Sequence, residues 1–168
     1  MGDLLFFSVG PRRGLRRGTR ATDWYEQGCV LEATDVPAAM AAYTRALAGS
    51  PELADAHNNL GRLHHDRGEL AAAEGCYRVA ICCTAEVALY WFNLGVVVED
   101  QGRQAEAIAA YERAIELEPA IADAHFNLAR LYEVRARRAG SIDELMLRRA
   151  VRHLVRYRDL AKTRSTGR

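Results

Sequence analysis

Residues 88–121 read ALYWFNLGVVVEDQGRQAEAIAAYERAIELEPAI, and the fold follows from this stretch. Apolar residues recur at helical spacing on both sides of Gln101-Gly102-Arg103, so two amphipathic helices are joined by a short glycine turn. Glu118-Pro119 closes the unit, because proline disfavours helical geometry in the residue before it. The neighbouring chain repeats the pattern. Leu94-Gly95 has counterparts at Leu60-Gly61 and Leu128-Ala129, at intervals of 34 (94−60 and 128−94). Tyr77 and Tyr111 are also 34 apart, as are Ala80 and Ala114, and Tyr43 and Ala46 continue both series upstream. Self-similarity at such a period marks stacked helix-turn-helix units.

Each unit packs a first helix, A, against a second, B, and against the next unit. Gly61 and Gly95 fall where A and B approach closely, and Ala129 takes that place in the last unit. Ala39, Ala73 and Ala107, early in the B helices, are the small counterparts, while Tyr43, Tyr77 and Tyr111 fill the space between units. A buried aromatic contributes on the order of 2–3 kcal/mol, so losing one is expected to loosen two neighbouring units. Pro51 ends a B helix as Pro119 does, and Thr84-Ala85 stands where a further proline is expected. All of these are structural residues.

This pattern resembles the tetratricopeptide repeat family, over about residues 21–134. The resemblance implies an all-α, right-handed superhelical solenoid of about four helix-turn-helix repeats with a basic C-terminal capping helix. The repeats divide as 21–53, 54–87, 88–121 and a degenerate 122–162 that includes the capping helix. Tails at 1–20 and 163–168 are expected to be disordered. Gly28 to Ala39 spans 11 positions, against 12 for Gly61 to Ala73 and for Gly95 to Ala107, so the turn at Thr34-Asp35-Val36-Pro37 is one residue short. Pro37 suits the first turn of a helix, where its missing N–H costs nothing. Ser141 reads as an N-cap ahead of Asp143 and Glu144. A helix from about 142 to 162 is then expected to turn Leu145, Ala150, Leu154 and Tyr157 inward.

The formal net charge of +1 conceals a strong segregation. Residues 1–20 carry five arginines and one acid, residues 21–134 seven arginines against eighteen acids, and residues 135–168 eleven cations against three acids. An acidic array between two basic ends bears on partners rather than on fold. Cys29, Cys76, Cys82 and Cys83 form no CxxC pair. They read as free thiols, with Cys76, Cys82 and Cys83 as small apolar fillers of a B helix, and a reduced cytoplasmic compartment fits best. No window approaches the length of apolar chain that spans a bilayer, and no membrane association is expected. Leu4-Leu5-Phe6-Phe7 is too short for a signal-peptide core, and the paired arginines at 12–13 and 16–17 are not followed by the apolar run of an export signal.

In the family it resembles, the A helices line a concave face, and one position on each often carries asparagine. Asn59, Asn93 and Asn127 match that position, again at intervals of 34 (93−59 and 127−93). An amide offers a donor and an acceptor together, so such a ladder can hold an extended peptide backbone. The same helix faces are expected to present Tyr25, Asn58, Phe92 and Phe126, with Arg62, Val96 and Arg130 one turn later and His65, Glu99 and Glu133 beyond. The competing reading gives the asparagines helix-to-helix hydrogen bonds. A subtype that binds chaperone C-terminal carboxylates carries lysines and arginines where this chain has Tyr25, Cys29, Leu89 and Asn93. Only Asn59, its middle member, is present, so a chaperone-tail adaptor is not expected.

Catalytic motifs are lacking. The sequence has no glycine-rich phosphate loop, no GxSxG, no HExxH and no Cys/His cluster, so neither an enzyme nor a cofactor or metal is expected. His57 and His125 occupy equivalent positions, where Trp91 sits in the third repeat, and read as packing or rim residues. Near the C-terminus, Arg148, Arg149, Arg152, Arg156 and Arg158 fall largely on one side of the final helix. Such a surface could neutralise phosphates without sequence choice.

The expected role is therefore a non-catalytic, bacterial scaffold that binds a partner protein or extended peptide in its concave groove. A second reading is a nucleic-acid-associated accessory module, similar to the arrays at the C-terminus of some bacterial MerR-type regulators. A third is a self-associating scaffold whose basic ends meet the acidic middle of another copy.

Overall fold

The computed structural model describes residues 20–138 and 143–166. Eight helices follow one another: α1 (Ala21–Leu31), α2 (Val36–Gly49), α3 (Ala54–Asp66), α4 (Leu70–Cys83), α5 (Ala88–Asp100), α6 (Gln104–Leu117), α7 (Ala122–Arg138) and α8 (Glu144–Thr166). Among the described residues no strand forms. Successive pairs make hairpins, and each B helix also packs on the A helix that follows, which gives the all-α superhelical solenoid.

The turns follow from local chemistry. Gly68 and Gly102 have φ of 74° and 80°, a left-handed conformation that carries the chain from A helix to B helix. The shorter first turn has no glycine. There Asp35 caps α2 instead, its carboxylate accepting from the Ala38 N–H at 3.0 Å, with Pro37 in the first turn.

Glycine and tyrosine set the distance between A and B. A Cβ on Gly28, Gly61 or Gly95 would lie 2.6, 2.9 or 2.6 Å from the ring of Tyr43, Tyr77 or Tyr111 respectively. Each tyrosine therefore lies over the glycine of its own repeat and also packs against the next repeat, as expected of a residue that fills the space between units. These rings, with Ala39, Ala73 and Ala107, are buried in the core. One cluster joins the first two repeats through Ala39, Tyr43, Leu60 and Leu63. A larger one runs from Ala73 and Tyr77 through Leu94, Val97 and Leu128 to Ala150 of α8.

A second recurring contact fastens the start of three A helices. His57 Nε2 lies 2.8 Å from the Pro51 carbonyl, Trp91 Nε1 2.8 Å from that of Ala85, and His125 Nε2 3.2 Å from that of Pro119. A carbonyl only accepts, so each ring nitrogen donates to the loop six residues upstream. Ala85 serves as well as proline because the bond uses only its carbonyl.

Expectations for the final helix and for the cysteines are corrected. The final helix starts at Glu144, and Asp143 caps it by accepting from the Met146 N–H at 3.1 Å, while Ser141 lies outside the described residues. It continues to Thr166, past the expected end at Lys162. Its inward face carries Met146, Ala150, His153 and Tyr157, whereas Leu145 and Leu154 are exposed, because the helix is rotated to stack His153 on Tyr132. Among the cysteines only Cys76 packs against the core, and Cys82 and Cys83 are exposed at the end of α4.

Candidate protein-binding groove

Residues three, four and seven apart on a helix share a face. On α5 this groups Leu89, Phe92, Asn93 and Val96. The matching faces carry Tyr25 and Cys29 on α1, Asn58, Asn59 and Arg62 on α3, and Phe126, Asn127 and Arg130 on α7. The expected groove residues thus line up across four consecutive A helices, but they do not all reach solvent.

The amides are largely engaged. Asn58 was expected in the groove wall and is instead buried, 5% exposed. It accepts from Asn93 Nδ2 at 2.8 Å and donates to Asn59 Oδ1 at 3.3 Å. Asn59 in turn donates to the Tyr43 hydroxyl at 3.2 Å, and Asn127 lies against the hydroxyl of Tyr111. The amides therefore tie neighbouring repeats together, because a buried amide left unpaired would cost more than the bond gains.

A further motif appears twice. Tyr43 donates to Glu32 at 2.6 Å, and Glu32 also accepts from Arg62 of the next repeat. Tyr111 donates to Glu99 at 3.0 Å, and Glu99 accepts from Arg130 of the next repeat. Burial, followed by the neighbouring Cys29 and Glu32, pushes the Tyr43 hydroxyl well above its ordinary range, and burial with the Glu99 charge does the same for Tyr111. Both stay protonated and act as donors. Burial and Cys29 likewise push Tyr25 up to about 12. The motif was legible in principle, since Glu32 and Glu99 are separated by 67 positions, as are Gly28 and Gly95.

At the middle junction the motif is missing. Val96 takes the position of Arg62 and Arg130, and His65 takes that of the glutamates and contacts Asp100 at 2.7 Å. The wall there is apolar. Leu89 is 50% exposed, with Phe92 and Val96 half-buried behind it. Phe92 leans on Tyr111, ring centroids 5.8 Å apart, a packing contact that the sequence did not suggest. Phe126 on the next helix is 43% exposed and meets Tyr157 at 5.3 Å.

The arginines of α8 lie apart from this wall. Arg148 pairs with Glu144 at 3.5 Å, and Arg149 stands over the Tyr132 ring at 5.7 Å. Arg152 and Arg156 border a cleft with His125, His153 and Asp159. Among the described residues no group of three or more His, Cys, Asp or Glu side chains is placed to hold a metal ion. No described helix is long and apolar enough to cross a membrane.

Comparison with known proteins follows the same geometry. A family model described as tetratricopeptide repeat matches residues 30–86, and another described as TPR repeat matches residues 100–133. The chain belongs to the tetratricopeptide repeat family. A crystal structure of MamA superposes on this TPR chain with TM-score 0.76 at 19% identity, covering 88% of this chain and 82% of that one. MamA 41-end from Desulfovibrio magneticus RS-1 gives 0.71 at 17% identity, over 87% and 78%. The first TPR of Spaghetti (RPAP3), bound to the HSP90 peptide SRMEEVD, gives 0.67 at 21% identity, over 70% and 94%. At these identities the likeness concerns the TPR fold. No curated protein sequence matches the chain.

Proposed function

We propose that this TPR array is a non-catalytic scaffold that takes an extended segment of a partner protein against the concave wall at α5 and α7. The observation that carries the reading is an apolar strip of exposed Leu89 with half-buried Phe92 and Val96, continued by exposed Phe126, between two inter-repeat ion pairs. Repeats serve commonly as protein-binding surfaces, and an apolar strip with a polar rim is what an anchored segment requires.

The ion pairs support a choice of ligand chemistry as well. A carboxylate ligand needs a free cation, and the guanidiniums of Arg62 and Arg130 are already matched by Glu32 and Glu99. RPAP3 is seen with the acidic peptide SRMEEVD. The wall here instead favours an apolar or aromatic anchor flanked by neutral or basic residues.

The test is capture of partners by the wild-type chain beside a Leu89→Ser/Phe126→Ser variant, with helical content checked in both. Both side chains are substantially exposed, so the variant is expected to fold. A protein held by the wild type and lost by the folded variant supports the reading. Identical catches from both would remove it.

A further inference from the structure

The contact between Phe126 and Tyr157, at 5.3 Å, reproduces those between Tyr25 and Tyr43 and between Phe92 and Tyr111, both at 5.8 Å. Tyr157 thus stands in α8 where Tyr43 and Tyr111 stand in α2 and α6, and α8 is the B helix of the last repeat. This alignment assigns its other positions. Leu154, three residues before the tyrosine, matches Met40 and Ile108. Leu160 and Ala161, three and four residues after it, match Ala46, Ala80 and Ala114 and then Leu47, Ile81 and Ile115.

In the earlier repeats these positions are covered by the next A helix. Ile108, Ala46, Ala80 and Ala114 are buried, and Leu47, Ile81 and Ile115 pack against the core. In α8 they are open: Leu154 is 43% exposed, Ala161 is exposed and Leu160 is half-buried. The adjoining face of α8 is already used, since Arg149 stands over Tyr132 and His153 stacks on it. The end of the solenoid therefore presents a helix-shaped apolar stripe, Leu154–Tyr157–Ala161, with Phe126 at its margin.

Charge identifies the occupant. Within Glu144–Thr166 the sequence has Arg148, Arg149, Arg152, Arg156, Arg158, Lys162 and Arg164 against Glu144 and Asp159, and although Arg148 pairs with Glu144 and Arg158 with Asp159, the helix keeps a large positive excess. Two copies of such a helix repel when placed side by side, and a basic partner is excluded in the same way. On this ground we propose that the C-terminal end of the array is a docking surface for an acidic amphipathic α-helix of a partner protein. That helix lies on Leu154, Tyr157 and Ala161 as the A helix of a following repeat would, with its carboxylates toward the arginines. This surface is separate from the α5 wall and does not depend on it.

The experiment titrates the full chain with two synthetic helical peptides that share one leucine–alanine stripe, one flanked by glutamates and the other by lysines. The glutamate peptide is expected to bind at least about tenfold more tightly, and Leu154→Glu or Ala161→Glu to weaken it by about tenfold or more. Leu89→Ser should leave it unchanged. Both sites on α8 are exposed, and circular dichroism confirms that each variant remains folded. Equal affinity for the two peptides, or binding indifferent to both α8 variants, overturns the proposal. So does a doubling of apparent mass that Leu154→Glu abolishes, which would make a second copy the occupant. Leu154-dependent adsorption to phosphatidylserine vesicles, with no peptide binding, overturns it as well.

Discussion

The Nδ1 atoms of His125 and His153 lie 2.9 Å apart, so one ring must donate and the other accept. His125 gives its Nε2 hydrogen to the Pro119 carbonyl, at 3.2 Å. In the neutral ring its Nδ1 is then bare and accepts from His153. Both rings are held below the ordinary histidine value, so at neutral pH the pair is two neutral imidazoles joining α7 to α8.

Acid should weaken that junction. Burial, opposed by the bond to the Pro119 carbonyl and assisted by Arg156, holds His125 below the ordinary histidine value, and burial with His125 lowers His153, assisted by Arg152 and Arg149 and opposed by Glu112. A histidine depressed in the folded state destabilises it once the unfolded state can take up protons. The stability is thus complete above the ordinary value of 6.5 and is lost as pH falls from there through the depressed values. Amide exchange between about pH 7 and about pH 5 should show α8 losing protection before α3 and α4. His153→Phe should flatten that dependence. Equal pH sensitivity in α3 and α8 would contradict it.

Gly95→Ala should destabilise the chain by about 1–3 kcal/mol, because the added methyl meets the buried ring of Tyr111. The converse, Ala129→Gly in the last repeat, should cost only about 1 kcal/mol in helix propensity plus the loss of a small buried methyl. Denaturant unfolding of the two variants orders them. A larger loss for Ala129→Gly would place the close approach in the wrong repeat.

Glu99 holds both Tyr111 and Arg130, and its own side chain is largely buried. Glu99→Ala should cost about 1–3 kcal/mol, since it strands a buried hydroxyl. Arg130→Ala should cost less than about 1 kcal/mol, because the guanidinium is half-exposed. Thermal melts at matched concentration check the order. Equal losses would mean that the ion pair, and not the tyrosine bond, carries the stability.

Asn58→Ala should remove the acceptor of Asn93 and the donor to Asn59 together, at about 1–2 kcal/mol. The Asn127→Ala change, nearer the open end, should cost less. Exchange measurements on α3 and α5 would locate the loss, and undiminished protection there would contradict it.

Much of the fold was legible because a repeat states its packing several times. The spacing of Gly61, Gly95, Tyr77 and Tyr111 marked the units, and an insertion between Ala129 and Tyr157 hid the last tyrosine from the same reading. Burial was less legible. Asn58 and Phe92 share a repeat position, yet one is enclosed by amides while the other leans on Tyr111. Periodicity reports which face a residue occupies, and not which neighbours arrive there. The rotation of α8 was illegible for that reason, since the interlock of His153 with His125 and Tyr132 sets it.

The claim that matters most is that the α5 wall, not the amide ladder, captures the partner. Its most direct test is capture from a nuclease-treated lysate by wild type, Leu89→Ser/Phe126→Ser and Asn127→Ala chains, each confirmed as folded. The account predicts a partner held by the wild type and the Asn127→Ala chain and lost by the apolar double variant. Retention by the double variant, or loss only with Asn127→Ala, would contradict it.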